Sequence, residues 1–406
     1  MPGLTLEAFG SPMVQTQSIE ELLPAWNCAV KTVWDGRLRG PIRALNQARS
    51  LSVIPRALDP ELIEQRSDES LPTERLEPFL RERFPSTTGE LSVMQFGGGH
   101  ANLTYLLRFG VQEYVLRRPP LGPIAPRSHD MAREHRVLSR LSAGFPLAPN
   151  SFLFCDDDKI IGAPFQVMER RHGKVIRREL PEECNARPDI NRRIGEMMID
   201  ALADLHMIRR DDVGLEDLGH PEGFTQRQLD GWTKRWKDAG AADNTDMERL
   251  IAWLYKHRPT LEQSALVHND YKLDNMLVDN SEPWRAVAIL DWDMCTSGEP
   301  LADLGYLLNQ WAQPDDPPLW IEESTMPTAQ SGFPSRTESI ERYATQTGYD
   351  CDTIHWHYAF AAMRFAVIIQ QIYIRYVRGQ TQDDRFATFD TRVATYIDKG
   401  CRIASL

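Results

Sequence analysis

The stretch His268-Asn269-Asp270-Tyr271-Lys272-Leu273-Asp274-Asn275, followed after a short hairpin by Asp291-Trp292-Asp293, decides how the rest of the chain is read. Apolar ALV precedes the polar octet and MLV follows it, which places it in a loop between short strands. Phosphoryl transfer asks for these side-chain types: a carboxylate that orients an attacking hydroxyl and receives its proton, and hard oxygen donors that hold Mg2+ against a triphosphate. Asp270 suits the first task, Asn275 and Asp291 suit the second, and Lys272 is long enough to reach a terminal phosphate. Each residue also has an ordinary use: His268 as a satisfied core histidine, Asp270, Asp274 and Asp293 as turn residues, Lys272 as a solvated lysine. The joint presence of Asp270, Asn275 and Asp291 favours the chemical reading.

Upstream, Phe96-Gly97-Gly98-Gly99-His100-Ala101-Asn102 separates the alternating runs LSVMQF and LTYLLRFG, and EYVLRR follows, the pattern of a small antiparallel sheet. Glycines let a backbone pass close to phosphates and turn its amides toward them, so Gly97, Gly98 and Gly99, with His100 and Asn102, are candidates to cover a nucleotide. No GK[ST] follows, which rules out a Walker loop and leaves an ordinary hairpin as the alternative. The helix MAREHRVLSRLSAGF stops at Gly144, and the strands FLFCDD and GAPFQVMER complete a β-β-β-α-β-β order.

Residues 1 to about 70 read as a helical extension, and RLEPFLRERFP as a short helix ending at Pro85. After HGKVI helices dominate, with INRRIGEMMIDALADLHMI repeating apolar residues every three or four positions. Between 265 and 291, ALVH is expected to pair with NMLVD ahead of a strand AVAILD. TIHWHYAFAAMRFAVIIQQIYIRYVRG is apolar on nearly all sides, so a buried helix is expected there, on which Tyr358, Arg364, Gln370 and Arg375 need partners or a cavity. The expected division is an N-terminal extension at 1–73, a β-rich lobe at 74–168 and a helical lobe at 169–406.

A length of 406 residues with 42% hydrophobic and 26% charged residues fits an ordinary globular enzyme of two lobes. The net charge of -12 removes general attraction to a phosphate backbone, so nucleic acid is not an expected partner. The six cysteines show no CxxC pair and no zinc-finger spacing, which reads as free thiols in a reducing compartment. No signal pattern or membrane-length apolar run is visible, so a cytoplasmic location away from membranes is expected; the oligomeric state stays open.

The order HxDxxxxN with a later Asp at a strand end resembles the protein-kinase-like superfamily, and most closely the aminoglycoside phosphotransferase family. HNDYKLDNMLVD, ILDWDMCTSGEPLADLGYLL and YIRYVRGQT are similar to the branch found alone in bacteria and fused to acyl-CoA dehydrogenase domains in animals; the resemblance covers roughly residues 75 to 400. It implies an α+β fold of two lobes, a small antiparallel β lobe and a larger helical one. It implies that Asp270 is the catalytic aspartate, Asn275 and Asp291 are Mg2+ ligands, His268 braces the loop, and Asp303 holds the loop backbone from below. Leu205-His206 is similar to the family's support for that loop. It aligns Arg117 with the phosphate-binding cation and Glu134 with its partner; arginine departs from the usual lysine, and Arg118 competes for the position. It also places Met168, Glu169 and Arg171 at a hinge that receives adenine.

The expected activity is transfer of the γ-phosphoryl group of Mg-bound ATP or GTP to a hydroxyl of a small molecule, with a hydroxyacyl compound, its CoA thioester or an aminoglycoside as acceptor. Two other classes compete. Arg117 and the long extension fit a catalytically silent nucleotide-binding scaffold, and His268, Asp270, Asp291 and Asp293 share ligand types with a metal-dependent hydrolase.

Overall fold

In this computed structural model the described residues are 61–98, 102–122, 129–184, 187–240, 244–260, 263–381 and 383–406. Strands β1 (Leu62–Ile63), β2 (Leu91–Phe96), β3 (Leu103–Phe109), β4 (Gln112–Arg118), β5 (Ser151–Cys155) and β6 (Phe165–Glu169) form one antiparallel sheet in the order β1-β2-β3-β4-β6-β5. Helix α1 (Thr73–Arg83) covers one face: Leu76 and Leu80 meet Tyr105, Leu107, Phe109, Leu116, Phe165 and Val167 in a dry cluster. On the other face lies α2 (Met131–Leu141), capped by the Asp130 carboxylate on the Arg133 amide, with Val137, Leu138 and Leu141 turned inward. The short α3 (Asp158–Ile161) joins β5 to β6.

The chain leaves β6 for β7 (Lys174–Val175), which pairs with β9 (Met276–Val278); β10 (Ala286–Ile289) pairs with the other edge of β9. Gly173 permits this crossing, because a Cβ there would lie 2.5 Å from the Val278 carbonyl oxygen. Helices α4 (Pro188–His206), α5 (Phe224–Asp238) and α6 (Thr245–Lys256) follow, then β8 (Ala265–Val267) and, after β10, β11 (Thr296–Gly298). The lobe closes with α7 (Leu301–Gln310), α8 (Pro318–Glu323), α9 (Arg336–Thr347), α10 (Ile354–Val377) and α11 (Phe389–Ile403). Gly305 lets α7 seat against α10, since a Cβ there would come within 2.6 Å of the His357 backbone. The fold is thus α+β and kinase-like, an antiparallel sheet followed by a largely helical region.

Three expectations need correction. Leu62–Ile63 is a strand on the edge of the sheet and residues 64–72 are turns and irregular backbone, inside the region read as a helical extension at 1–73; residues 1–60 of that reading lie outside the described residues. A two-residue edge strand is too short for a periodic signal. The segment 265–267 pairs with 296–298 and not with 276–278, because the polar octet turns through Leu273–Asn275 and delivers β9 to a different sheet. Helix α10 is buried only as far as Gln370; Arg375 and Val377 are exposed, so Arg375 needs no buried partner.

Candidate functional site

The polar octet joins β8 to β9 and is fixed first from below. Asp303, wholly buried in the first turn of α7, accepts from the amides of His268 (2.5 Å) and Asn269 (2.7 Å) and from His206 Nε2 (3.3 Å), as the resemblance implied. Burial works to raise the Asp303 carboxyl, but the His206 hydrogen bond and the loop amides hold it below the usual aspartate value. His206 in turn meets the Tyr343 hydroxyl at 2.6 Å. His268 has both ring nitrogens engaged, Nε2 donating to the Leu290 carbonyl (2.9 Å) and Nδ1 accepting from the Asp270 amide (3.3 Å). That leaves it no lone pair for a metal, and no group of three or more His, Cys, Asp or Glu among the described residues is arranged to hold one. Of the four groups that the hydrolase reading used, His268 is thus taken up by the loop.

Above this base, Asp270 accepts from Asn275 Nδ2 on Oδ2 (2.7 Å), with Lys272 Nζ 3.2 Å from the same oxygen and the Tyr306 hydroxyl donating to Oδ1. Asn275 also bonds the Asp270 carbonyl (2.9 Å), and its own carbonyl accepts from the Leu290 amide (2.7 Å), which brings the residue before Asp291 alongside. Asn269 and Asp291 both adopt left-handed backbone, with φ of 67° and 69°. Non-glycine residues there concentrate at functional sites.

From the sheet, Arg117 ion-pairs with both Glu134 on α2 and Asp291. Glu134, fully buried, also accepts from the Trp292 amide (3.1 Å) and from Gln166 Nε2 (2.5 Å). Burial pushes the Glu134 carboxyl up to about 7 against the pull of Arg117. Burial acts on Asp291 in the same sense, yet Arg117 holds it below the ordinary range. The competing Arg118 points the other way, to the Ile161 carbonyl at 3.0 Å.

The glycine segment is described in part. Gly99 and His100 lie outside the described residues. The Gly97 amide extends the β1–β2 pairing by donating to the Glu61 carbonyl (2.8 Å), just before β1, so this N–H is already used within the sheet. Gly98 lies where a Cβ would come within 2.9 Å of Arg177 Nη2. Asn102 meets His129 Nδ1 through its Oδ1 (2.9 Å) and buries an Nδ2 without a partner. At the expected hinge, Met168 is buried against the core, Glu169 accepts from the Asn150 amide (3.1 Å), and Arg171 lies 2.9 Å from the Glu169 carboxylate.

Asp270, Lys272, Asn275, Asp291, Arg117 and Glu134 are therefore joined by one run of contacts. Sequence reasoning missed Tyr306 and Gln166. Tyr306 could have been found from its spacing, three residues after Asp303 on one helix face; Gln166 sits in an apolar strand and gave no signal. Two oxygens at this site suit Mg2+: Asn275 Oδ1 and Asp291 Oδ2 take no hydrogen bond among the described residues, and both are hard donors.

The profile of the phosphotransferase enzyme family matches residues 92–323. Acyl-CoA dehydrogenase family member 11 of Rattus norvegicus is 32% identical across 78% of this chain and 41% of its own length. The chain thus spans about two fifths of that curated relative. Among solved structures, a candidate aminoglycoside phosphotransferase of Ralstonia eutropha is 29% identical, with a TM-score of 0.72 over 83% of this chain and 99% of that one. Choline kinase of Cryptosporidium parvum shares the fold at 12% identity and a TM-score of 0.56, over 82% and 96%.

Proposed function

Because the chain belongs to the phosphotransferase enzyme family, we propose that it is a small-molecule kinase in which Asp270 receives the proton of an acceptor hydroxyl and Asn275 and Asp291 hold Mg2+ on ATP or GTP. The observation that carries this reading is the Asp270–Asn275 hydrogen bond beside two oxygens that take no donor among the described residues. Bound there, Mg2+ would neutralise charge on the transferring phosphoryl group. The chain's own groups do the rest. Asp270 orients the hydroxyl, Lys272 offers a cation at the same edge, and Glu134 holds Arg117 beside Asp291, where a guanidinium can bridge phosphate oxygens. A cytoplasmic enzyme of this kind needs neither nucleic acid nor membrane.

The acceptor we favour carries an anionic group, as a hydroxyacyl-CoA does, over a polycationic aminoglycoside. The surrounding charge supports this. Buried Arg364 donates to the Asn269 carbonyl (3.4 Å) and lies over the Trp232 and Tyr306 rings, and buried Lys399 holds the Asn309 carbonyl (2.7 Å) at the end of α7. Burial pushes the Lys399 amine down to about 7 against the pull of Asp316 and Glu323.

The test is a nucleotide-consumption screen with Mg2+ across hydroxyacyl-CoA compounds, hydroxy acids, sugars, amino alcohols and aminoglycosides. A hit is expected among the anionic alcohols, and it should disappear in Asp270→Asn while nucleotide binding survives. Melting raised by Mg-nucleotide, with no transfer to any alcohol, would instead support the silent scaffold.

A further inference from the structure

Tyr306 sits on α7 one turn beyond Asp303, so one helix face carries both the carboxylate that holds the loop backbone and the phenol that meets the loop's own carboxylate. The ring is fixed from behind. Its centroid lies 5.1 Å from that of Phe365 and 5.3 Å from the Arg364 guanidinium, and the side chain is buried. Burial raises the Tyr306 phenol well above its ordinary value, which keeps the hydroxyl protonated and able to donate.

The donors around Asp270 are divided unequally. Oδ2 receives Asn275 Nδ2 at 2.7 Å and has Lys272 Nζ at 3.2 Å, whereas Oδ1 receives Tyr306 alone among the described residues. A carboxylate oxygen accepts about two hydrogen bonds, so Oδ1 keeps one place and Oδ2 keeps none. Asn275 and Lys272 belong to the same loop as Asp270 and move with it, while Tyr306 is set in a helix packed on α10. The terminal torsion of an aspartate is broad and needs an outside reference to be fixed.

We propose that Tyr306 is a positioning residue that sets the rotation of the Asp270 carboxylate, and that Oδ1 is the oxygen that meets the acceptor hydroxyl. The role rests on the kinase reading above. It adds a contact from the scaffold to a group otherwise anchored only within its loop.

The test uses the full chain and Mg·ATP turnover with water as the acceptor. Tyr306→Phe keeps the ring and removes the donor; kcat should fall about ten- to a hundredfold, with the KM for ATP and the melting temperature unchanged. Tyr306 replaced site-specifically by 3-fluorotyrosine, which keeps the hydroxyl, should restore the parent kcat. An unchanged kcat in Tyr306→Phe would overturn the proposal, and a raised one would mean that the phenol blocks the acceptor's place. A joint loss of kcat, ATP binding and melting temperature would reduce Tyr306 to packing. Crystal structures of parent and Tyr306→Phe give a readout independent of turnover: the carboxylate should rotate in the variant, and an unmoved carboxylate would contradict the role. Asp270→Asn in the same assay separates the two claims. Parent-like turnover there removes the kinase reading itself, whereas a dead Asp270→Asn beside a parent-like Tyr306→Phe removes only the positioning role.

Discussion

Below the 268–275 loop Asp303 has three donors and no solvent, whereas above it Asn275 Oδ1 and Asp291 Oδ2 have no donor among the described residues. Both sides are built from carboxylates and amides, but their saturation differs. The underside supplies shape, because every group there is bound to another part of the chain and a ligand would have to break something to enter. The upper side is pinned at one side-chain atom of each group, Asn275 Nδ2 and Asp291 Oδ1, and open at the other, the condition for receiving a cation without prior rearrangement.

The largest effect should come from exchanging the fates of the two sides. Asp303→Ala strips the acceptor from two buried amides, and urea unfolding should show a loss of about 2–5 kcal/mol. Asp270→Ala, at a side chain 20% exposed, should leave stability within about 1 kcal/mol of the parent while turnover falls about a thousandfold. If instead Asp270→Ala unfolded the chain and Asp303→Ala merely slowed it, the division into scaffold and open face would be wrong. A smaller effect is expected from Arg117→Lys. A single ammonium cannot fork to both Glu134 and Asp291 as the guanidinium does, so steady-state kinetics should show the KM for nucleotide raised about tenfold. An unchanged KM would mean that Arg117 serves only the protein.

The smallest effect is in acid. The folded-state value of Asp303 lies below its unfolded one, so its contribution is complete above the usual aspartate value of 3.8 and is lost as pH falls through the folded value. The stability gap between parent and Asp303→Asn, followed by urea unfolding, should therefore be constant near neutrality and narrow below about pH 4. A gap that widened in acid would contradict the assignment.

Much of this was legible in the residues. The alternation in LSVMQF, LTYLLRFG and EYVLRR gave three strands, and Asp270 and Asn275, singled out for separate tasks in one loop, lie side by side because polar types at short spacing in a loop have few places to go. The pairing of 265–267 was not legible, since three apolar residues match any neighbour and only the turn at 273–275 chooses among them. Nor was the direction of Arg117 against Arg118 settled, which depends on register: Arg117 pairs with Gln166 across β4 and β6 and so shares the face of Glu134. Tyr306 lies 36 residues from Asp270, so the only signal for their contact was its place one helical turn after Asp303, the residue expected to hold the loop.

The account turns on where a divalent cation sits when nucleotide is bound. A crystal structure with Mn2+ and a non-hydrolysable ATP analogue, read by anomalous scattering, should place the ion about 2.0–2.3 Å from Asn275 Oδ1 and an Asp291 carboxylate oxygen, with the terminal phosphate facing Asp270. An ion held by other residues, or a nucleotide lying away from Asp270, would contradict it.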